Sequence, residues 1–502
     1  MGAAASLARL TGAAWILVRA DALAPREIDP LLPLGPRTLA RLLRLFSGRA
    51  ARQGHPGERL ARCLETMGPA AIKAGQFLST RADIFGVEFV EELSRLKDRL
   101  APFPTEKARR EVERALGRPL GSVYAEFDDT LAAASLAQAH RATLLDGRVA
   151  AVKVLRPGIE RRVEKDIAAL GMAAFLVEAW AAPARRLEPK AFVATVARAL
   201  RLELDLRFEA AGADELRAVM AQDPFMRAPK VVWEGVARRV LTLEWAEGAP
   251  LSDPASLELP GVDRRRLADN LIRAFLAQAL DHGVFHADLH EGNLFIEAPA
   301  TLTAVDFGIV GRLGPLERRY LAEILWGFLQ RDYRRVAAIH FEAGYVPRSH
   351  DRAAFAQALR AVGEPVFGRT SKDLSMGRLL AQLFEITALF EMRLRPELVL
   401  LQKTMVTVEG VARRIDPEHD IWAAAEPVVR RWIARELSPA ARARALIEEG
   451  RTALAAVTRL AERQLSAPPA PQERPESLAP FAGFAAGVIL AALAFALAVL
   501  LR

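Results

Sequence analysis

Three polar residues near the middle of the chain have the types and the spacing that phosphoryl transfer requires. Asp288 is followed five residues later by Asn293, and Asp306 then opens an Asp-Phe-Gly sequence. A carboxylate can orient or deprotonate an acceptor oxygen, whereas an amide oxygen and a second carboxylate are ligands that suit Mg²⁺. A loop whose Asp and Asn residues only cap turns is the alternative interpretation. The ordered combination of the three residues favours the chemistry.

The order of these residues is that of the catalytic loop and metal-binding turn of a protein kinase. In that arrangement Asp288 acts on the acceptor, while Asn293 and Asp306 bind Mg²⁺ against the phosphates of ATP. A short apolar strand is expected after Asn293, and a second strand is expected to end at Asp306. Gly308 is expected to provide the sharp backbone turn that follows the metal ligand.

A lysine on the third of three predicted strands is the expected phosphate contact. Alternating apolar residues predict strands at Val123–Phe127, His140–Leu145 and Arg148–Leu155, with an Asp-Gly hairpin turn before the third. Lys153 lies in the third strand, where a kinase lysine contacts the α- and β-phosphates. A lysine at a strand edge is the alternative. It is less favoured because the run is otherwise apolar and a buried lysine requires a partner.

A turn and a hinge supply further predicted nucleotide contacts. A kinase has a Gly-rich turn between its first two strands, whereas the turn here is Ala-rich, and its methyl groups restrict the backbone and block close approach to a phosphate. The predicted strand Val240–Trp245 leads to a segment where a kinase hinge presents backbone groups to adenine. The predicted contacts are Ala132, Ala133, Ala134 and Ser135 in the turn, and Glu244 and Ala246 at the hinge.

The acidic partner of the lysine is less clear from the residues alone. Spacing favours Glu164, which lies on the first predicted helix after Lys153. A second group, Glu203, Asp205 and Glu209, lies in a mostly helical stretch, and Asp205 and Glu209 are expected to share a helix face because they are four residues apart. A solvated face is the alternative, but leucines alternate with these acids and favour partial burial.

The segment after the Asp-Phe-Gly sequence is short. Helical periodicity resumes by Pro315 and is strongly amphipathic over Leu316–Gln330. The chain contains no Ala-Pro-Glu sequence, which closes the peptide platform of an ordinary protein kinase. A peptide substrate is therefore expected to find little surface to lie on.

The amino-acid composition restricts which binding partners and which cellular compartment are expected for this protein. The 502 residues carry a net charge of +8 and give a pI of about 9.9. The single cysteine, Cys63, excludes an intrachain disulfide and suits a reducing compartment. No zinc-ligand spacing or RNA-binding signature is present, so nucleic acid is not an expected partner. The basic surface favours an anionic membrane surface or plain solubility.

The two ends of the chain are predicted to differ in their relation to a membrane. The apolar run Ala13–Val18 is too short to span a bilayer, and an interfacial helix is the alternative to a signal peptide there. The segment Phe481–Leu501 has 21 uncharged, apolar residues, which span about 31 Å as a helix, and it follows a linker with five prolines. A buried core helix is the alternative. More arginines precede this segment than follow it, so the positive-inside rule predicts a cytoplasmic main body.

The chain resembles the UbiB family of atypical kinase-like proteins, the aarF-domain proteins linked to ubiquinone biosynthesis. The resemblance covers about residues 38–417 and rests on Lys73-Ala74-Gly75-Gln76, Ala132–Ser135, Val152-Lys153, Glu203-x-Asp205, His286-x-Asp288-x-His290-x-Gly292-Asn293 and Asp306-Phe307-Gly308. The chain departs from the family in two respects. Residue 291 is Glu where the family commonly has Pro, and one convincing membrane helix is present where many bacterial members carry two.

The resemblance changes the expected partner of the lysine. It implies that Glu209, rather than Glu164, forms the ion pair with Lys153. It also implies that ATP and Mg²⁺ are the cofactors, with the catalytic set consisting of Asp288 together with this lysine and its partner.

The resemblance also implies a gating segment. Glu203 and Asp205 are implied to form a separate acidic pair near Lys73. The segment that contains Lys73 and Gln76 is implied to pack over the site where a protein substrate would lie, which agrees with the short segment after the Asp-Phe-Gly sequence.

The predicted fold is α+β: a two-lobed, protein-kinase-like fold with an N-terminal helical extension, a helix-rich C-lobe and a C-terminal transmembrane helix. The predicted regions are an N-terminal helical segment (1–54), a helical extension with the Lys-x-Gly-Gln motif (55–122), the N-lobe (123–250), the C-lobe (251–420), C-terminal helices (421–466), a Pro-rich linker (467–480) and the membrane helix (481–501).

The predicted function is that of an atypical kinase or ATPase that binds Mg-ATP and supports ubiquinone biosynthesis without phosphorylating peptides. The expected location is the cell inner membrane, with a single C-terminal pass and a cytoplasmic kinase-like domain. The expected partners are a membrane lipid or a small quinone precursor, together with ubiquinone-biosynthesis enzymes. The alternatives are a protein kinase that acts on a biosynthetic enzyme and a non-enzymatic lipid chaperone or scaffold switched by nucleotide.

Overall fold

The computed structural model describes most of the chain before residue 437. The described residues are 3–23, 25–27, 34–48, 54–78, 89, 92–93, 96, 101–180, 188–367, 386, 389–392, 396–436, 438 and 458. Residues Met1–Ala434 form one compact unit and Arg435–Arg502 form a second. The predicted linker at 467–480 and the predicted membrane helix at 481–501 lie outside the described residues, as do most of the helices predicted at 89–99, 379–390 and 440–464.

The N-terminal extension is helical. Its helices are α1 (Ala3–Arg19), α2 (Leu34–Leu43), α3 (Pro56–Met67) and α4 (Pro69–Leu78). The periodicity predicts one helix over Gly57–Ile72, but two form, because Gly68 adopts a φ of +110° and Pro69 starts a new helix. Within the part of the chain that the structure describes, no helix is long and apolar enough to cross a bilayer.

A four-stranded antiparallel sheet follows, in the order β1-β2-β3-β4. The strands are β1 (Tyr124–Ala133), β2 (Ala137–Leu144), β3 (Val149–Leu155) and β4 (Val240–Glu244). The third predicted strand is thus confirmed almost residue for residue. The first strand is longer than predicted and includes half of the Ala-rich segment, which leaves only residues 134–136 to turn. The strand predicted at Val231–Trp233 is reduced to an antiparallel bridge between Val231 and Leu243 of β4, because a 3₁₀ turn begins at Trp233.

The sheet buries one face against helix α5 (Thr105–Leu116), which precedes it in the chain. Ala150, Val152 and Val154 of β3 are fully buried in this core together with Ala108 and Val112 of the helix. Successive side chains on a strand point to opposite faces. The alternation in β3 therefore directs the residues between them, Lys153 included, to the other face.

Among the residues that the structure describes between β3 and β4, three α-helices are found. They are α6 (Ile159–Trp180), α7 (Pro189–Glu203) and α8 (Leu206–Met220). The predicted helical stretch breaks at Leu204-Asp205, where the Asp205 backbone is extended and its side chain accepts a hydrogen bond from the Arg207 amide as the N-cap of α8. The expectation that Asp205 and Glu209 share a helix face is therefore wrong, because only Glu209 is in the helix.

Short strands and helices form the following part of the compact unit. The elements are β5 (Ala249–Pro250), α9 (Arg264–Ala277), a π-helical turn at Gln278–His282, β6 (Val284–His286), β7 (Leu294–Glu297), β8 (Thr301–Ala304) and β9 (Val310–Arg312). Strands β5, β7 and β8 make one small sheet, and β6 pairs with β9. The pairs β7–β8 and β6–β9 bracket the loop at 287–293 and the turn at 305–309, and so bring the two ends of the predicted site together.

The remaining helices cover this region. They are α10 (Pro315–Leu329), α11 (Tyr333–Glu342), α12 (Arg352–Phe367), α13 (Pro396–Ile415) and α14 (Ile421–Glu436). The predicted start of a helix at Pro315, three residues after β9, is confirmed, as are the helices Tyr333–Glu342 and Ile421–Glu436. Helix α13 packs along α9.

Candidate functional site

A partly buried ion-pair cluster joins the sheet to α8 and to the Asp-Phe-Gly turn. The Lys153 Nζ donates to Glu209 Oε1 at 2.8 Å and to Oε2 at 2.9 Å, and it lies 3.3 Å from Asp306 Oδ1. Glu209 is buried in the first turn of α8. The partner of the lysine is therefore the one that the family resemblance implies. Glu164, which spacing favours, instead pairs with Arg201 on the surface at 2.7 Å.

The charges in this cluster shift one another's ionisation. The Lys153 ammonium holds the pKa of Asp306 at about 2. Burial raises the pKa of Glu209 to about 7, which Lys153 opposes and the charges of Asp306 and Glu203 reinforce. Burial disfavours the charge of Lys153, but the two carboxylates raise the pKa of this lysine above its usual value. Lys153 and Asp306 are accordingly both charged at neutral pH.

The loop that carries Asp288 is fixed by a buried histidine. His286 is fully buried, packs on Phe307 at 5.3 Å between ring centroids, and donates from Nε2 to the Val305 carbonyl at 3.1 Å. Its Nδ1 accepts a hydrogen bond from the Asp288 amide at 3.1 Å. These contacts require the neutral Nε2–H form of His286, and burial correspondingly lowers its pKa.

Asp288 itself is partly exposed at the mouth of this loop. Its Oδ2 lies 3.7 Å from His290 Nε2, and its backbone carbonyl accepts from Asn293 Nδ2 at 3.0 Å. The Asn293 nitrogen is thus engaged within the loop, so Oδ1 is the atom of this side chain that is suited to a cation. The Asp288 carboxylate remains accessible to a substrate.

Asn293 and Asp306 form an oxygen donor set that fits Mg²⁺. One amide oxygen and one carboxylate suffice, because Mg²⁺ usually retains waters and takes further oxygens from substrate phosphates. Among the described residues no cluster of three or more His, Cys, Asp or Glu could hold a metal, so a caged metal site is not found there. The backbone bends at Gly308 as expected, but Gly308 does not adopt a positive φ. The positive φ, +62°, belongs to Asp306.

The Ala-rich turn is closed by an arginine that the sequence does not single out. Arg156 donates from Nε and Nη2 to the Ala134 carbonyl at 2.9 and 2.8 Å, and Ala134 also donates its amide to the Ala137 carbonyl at 2.8 Å. None of Ala132, Ala133, Ala134 and Ser135 has a positive φ, so alanine fits without strain. These hydrogen bonds stabilise the turn, and its backbone conformation does not require glycine.

The hinge connects the sheet to the short strands. Trp245 donates its amide to the Val149 carbonyl at 3.0 Å, and Glu244 forms an ion pair with Arg148. Ala246 lies between this anchor and Gly248, whose φ of +95° allows the chain to approach the Ile296 carbonyl. The predicted hinge residues Glu244 and Ala246 therefore lie where the two lobes of the predicted fold join.

Of the predicted gating residues, Lys73 and Glu203 form an ion pair, whereas Asp205 caps a helix. Lys73 of α4 forms an ion pair with Glu203, the last residue of α7. Asp205 does not join this pair. It caps α8 and binds Arg207 Nη2 at 2.7 Å, a hydrogen bond that lowers the pKa of Asp205. Gln76 lies one helical turn after Lys73 on α4. The charge of Glu203 acts on Glu209, which connects the Lys73 pair electrostatically to the cluster around Lys153.

Two further contacts hold the loop that carries Asp288, and no local sequence pattern predicts either of them. Gln278 of the π-helical turn accepts a hydrogen bond from the His286 amide at 3.0 Å. Thr404 of α13 donates to the Ala287 carbonyl at 3.0 Å. Thr404 is 117 residues away from Ala287 in the chain. No pattern of residue types or spacing around Thr404 predicts this contact.

The fold and the site define an atypical protein-kinase-like protein. Residues 95–340 match the ABC1 atypical kinase-like domain, and residues 359–420 match the UbiB helical domain. A solved structure of Rv3197 from Mycobacterium tuberculosis in complex with erythromycin has the same fold, with a TM-score of 0.53 at 22% identity over 78% of this chain and 98% of that one. The predicted kinase-like, mixed helix-and-sheet fold is thereby confirmed.

Relatives define the family more narrowly. A probable protein kinase UbiB of Marinobacter nauticus is 39% identical over 444 residues, which cover 86% of this chain and 80% of that protein. A probable protein kinase UbiB of Xanthomonas campestris is 41% identical over 429 residues, which cover 82% and 77% respectively. The chain belongs to the UbiB family.

Proposed function

We propose that this chain binds Mg-ATP and either hydrolyses it or transfers its terminal phosphoryl group to a small acceptor, in support of ubiquinone biosynthesis. The observation that carries the proposal is the cluster in which Lys153 meets both Glu209 and Asp306. An ordinary kinase requires a lysine–glutamate pair and a metal-binding aspartate together. Here one ammonium group joins both carboxylates, which supports the proposed roles of Lys153 as the phosphate contact and Asp306 as a metal ligand.

The roles follow from the chemistry of the site. Lys153 binds phosphate oxygens and is oriented by Glu209. Asn293 and Asp306 are the residues that would hold Mg²⁺, which supplies charge neutralisation to the phosphates. Asp288, whose amide is fixed by His286, orients or deprotonates the acceptor oxygen.

A small acceptor fits this chain better than a peptide. Helix α10 begins at Pro315, so only seven residues follow Asp306-Phe307 before it, and β9 occupies three of them. On the other side, the Lys73–Glu203 pair links α4 to α7 near the cluster. We infer that α4 restricts access to large substrates and that water, a lipid or a quinone precursor is the acceptor.

Membrane attachment is part of the same proposal. Ubiquinone and its precursors are lipids, and residues 481–501 have the length and composition of a single membrane span. We infer an inner-membrane protein whose kinase-like part faces the cytoplasm.

Nucleotide binding and turnover in the purified full-length chain test the proposal. Wild type should be stabilised by Mg-ATP, by about 2.7 kcal/mol at 100 times Kd. Asp306→Asn should lose this stabilisation, whereas Asp146→Asn, an exposed hairpin residue, should keep it. Asp288→Asn should keep binding and lose phosphate release. Unchanged stabilisation of Asp306→Asn would remove the metal assignment.

Two other outcomes correspond to the alternative functions. The relatives are named probable protein kinases, and labelled phosphate on a partner protein would favour that activity. Full function in vivo of an Asp288→Asn variant that binds ATP would instead favour a nucleotide-switched chaperone or scaffold.

A further inference from the structure

Helix α13 contacts the catalytic loop on both sides of Asp288. This helix lies within the UbiB helical domain, outside the segment that matches the kinase-like domain. Its Thr404 hydroxyl contacts the carbonyl of Ala287, the residue before Asp288, and its Arg414 forms an ion pair with Glu291, three residues after it. One helix therefore holds both ends of the segment that carries the proposed acceptor-orienting carboxylate.

The first contact is fully buried. Thr404 is 1% exposed and Ala287 is 3% exposed. The Thr404 oxygen lies 3.0 Å from the Ala287 carbonyl and 2.8 Å from the Leu400 carbonyl of its own helix. The hydroxyl has one proton, which these two carbonyls share. The contact with Leu400 is available to any threonine in a helix, whereas the contact with Ala287 exists only because the loop lies against this position. A buried carbonyl that lost this donor would have to move or rearrange its surroundings.

The second contact is more exposed. Glu291 opens the 3₁₀ turn Glu291–Asn293, and its carboxylate meets the Arg414 guanidinium with both side chains about two-fifths exposed. An ion pair at this exposure adds little to stability, so its effect is expected on loop position.

We propose that Thr404 and Arg414 are positioning residues through which α13 sets the orientation of Asp288. The carbonyl of Ala287 and the side chain of Glu291 are fixed to one rigid helix, and Asp288 lies between them. Rotation of the loop about its own axis, which would carry the carboxylate away from an acceptor oxygen, requires both contacts to break. The inference rests on the proposed function of Asp288 and adds the helical domain to the machinery that serves it.

The experiment compares Thr404→Val with Thr404→Ser in the full-length protein. Valine keeps the shape and removes the hydroxyl, and serine restores the hydroxyl. The matched control is Thr407→Val on the same helix, whose hydroxyl donates only to Lys403 of that helix at 3.0 Å. Thr404→Val should lower kcat for ATP about 10- to 100-fold with KM and Mg-ATP binding nearly unchanged, because the loss falls on orientation. Thr404→Ser should recover most of the rate, and Thr407→Val should match wild type.

A second readout does not depend on turnover. Amide hydrogen exchange of residues 286–293 should rise in Thr404→Val and not in Thr407→Val. If wild type binds Mg-ATP but releases no phosphate, the proposed activity fails, whereas the exchange result still decides the positioning role. Equal exchange and equal kcat in all three variants and wild type would overturn it, as would a loss that serine does not rescue.

The exposed pair provides variants that keep the fold. Arg414→Gln and Glu291→Gln should each lower kcat by a few-fold, and the double variant should lose no more than either single one, because both remove the same contact. Additive losses, or no loss in either single variant, would show that the pair does not position the loop. This series also decides the proposal if Thr404→Val does not fold.

Discussion

Lys153 and Glu209 share two hydrogen bonds of 2.8 and 2.9 Å, although 56 residues and two complete helices separate them in the chain. The glutamate lies in the first turn of the third helix after the strand, and that helix begins at the Asp205 cap. The ion pair therefore fixes the entry of α8 against the open face of the sheet, where the strand alternation has already placed the lysine.

Removal of the Glu209 charge should cost activity. Glu209→Gln keeps the size of the side chain but leaves Lys153 without its bidentate partner, and we expect ATP turnover to fall on the order of 100-fold. Glu164→Gln is the matched control, since it breaks an exposed pair with Arg201 whose energetic contribution is below about 1 kcal/mol. Steady-state phosphate release measures both. Equal losses in the two variants would contradict the assignment of Glu209.

Lys73→Ala should open the acceptor side. The substitution breaks the ion pair with Glu203 that joins α4 to α7, so we expect labelled phosphate to appear on hydroxyl groups of the protein itself. Glu203→Gln should do the same, because it breaks the same pair. Lys107→Ala, at an exposed position of α5, is the control. If Lys73→Ala unfolds the protein or leaves incorporation at the wild-type level, Lys73 is a structural residue only.

Ala133→Gly should change nucleotide preference. Ala133 pairs with Gln138 at the end of β1, next to the turn that Arg156 closes. Glycine frees the backbone there, at a cost of about 0.5–1 kcal/mol of stability, and should shift the ratio of ATP to ADP affinity. Titration calorimetry with each nucleotide measures the ratio. Ala125→Gly, at an exposed position of the same strand, should cost similar stability and leave the ratio unaltered.

Stability should fall between pH 6.5 and pH 4 through a buried histidine. Burial in the aromatic cluster around Phe355 lowers the pKa of His340 to about 4 from its usual 6.5. The unfolded chain thus binds a proton in this window that the folded chain does not, so the free energy of unfolding decreases as pH falls, by about 2 kcal/mol at pH 5. Burial also lowers the pKa of His286, so this histidine contributes to the same loss of stability as pH falls.

Urea unfolding at pH 7 and pH 5 measures this effect. His340→Gln should reduce the pH dependence by about the stated amount, and His55→Gln, at an exposed position, should leave it as in wild type. A pH dependence that is the same in His340→Gln and wild type would contradict the assignment.

Deletion of residues 481–502 should release the protein from the membrane without loss of nucleotide binding. The motivation is the Pro-rich spacer that separates the apolar segment from the kinase-like region in the sequence. Function in vivo should be poor and should return when an unrelated membrane helix replaces the segment. Retention in the membrane fraction after a high-salt wash would require another anchor, for which Ala13–Val18 is the candidate.

The sequence predicted the features of the site that are local in the chain. Strand β3 with Lys153, the loop from His286 to Asn293 and the start of α10 follow from alternation, spacing and a proline at a helix start. These features can be predicted because each is determined by residues that lie close together in the sequence.

Features that depend on distant partners could not be predicted in the same way. Spacing selected Glu164 because nothing in the sequence states that two helices are inserted before the true partner. Asp205 can cap α8 only because the preceding helix ends at Glu203, and leucine at position 204 gives no sequence signal for that helix end. The contacts of Arg156 and Thr404 with backbone carbonyls have no signature, since any donor at the right place in space would serve.

The positive φ of Asp306 has a consequence for the evolution of this site. A non-glycine residue in the left-handed region costs of order 1–3 kcal/mol of conformational free energy, and glycine or asparagine adopts this conformation at a lower cost. The ion pair with Lys153 offsets only part of this cost, because the Asp306 side chain is half exposed. Under the proposed function, aspartate at position 306 exchanges stability for metal binding, so a search for thermostable variants would tend to select glycine or asparagine there and to lose activity.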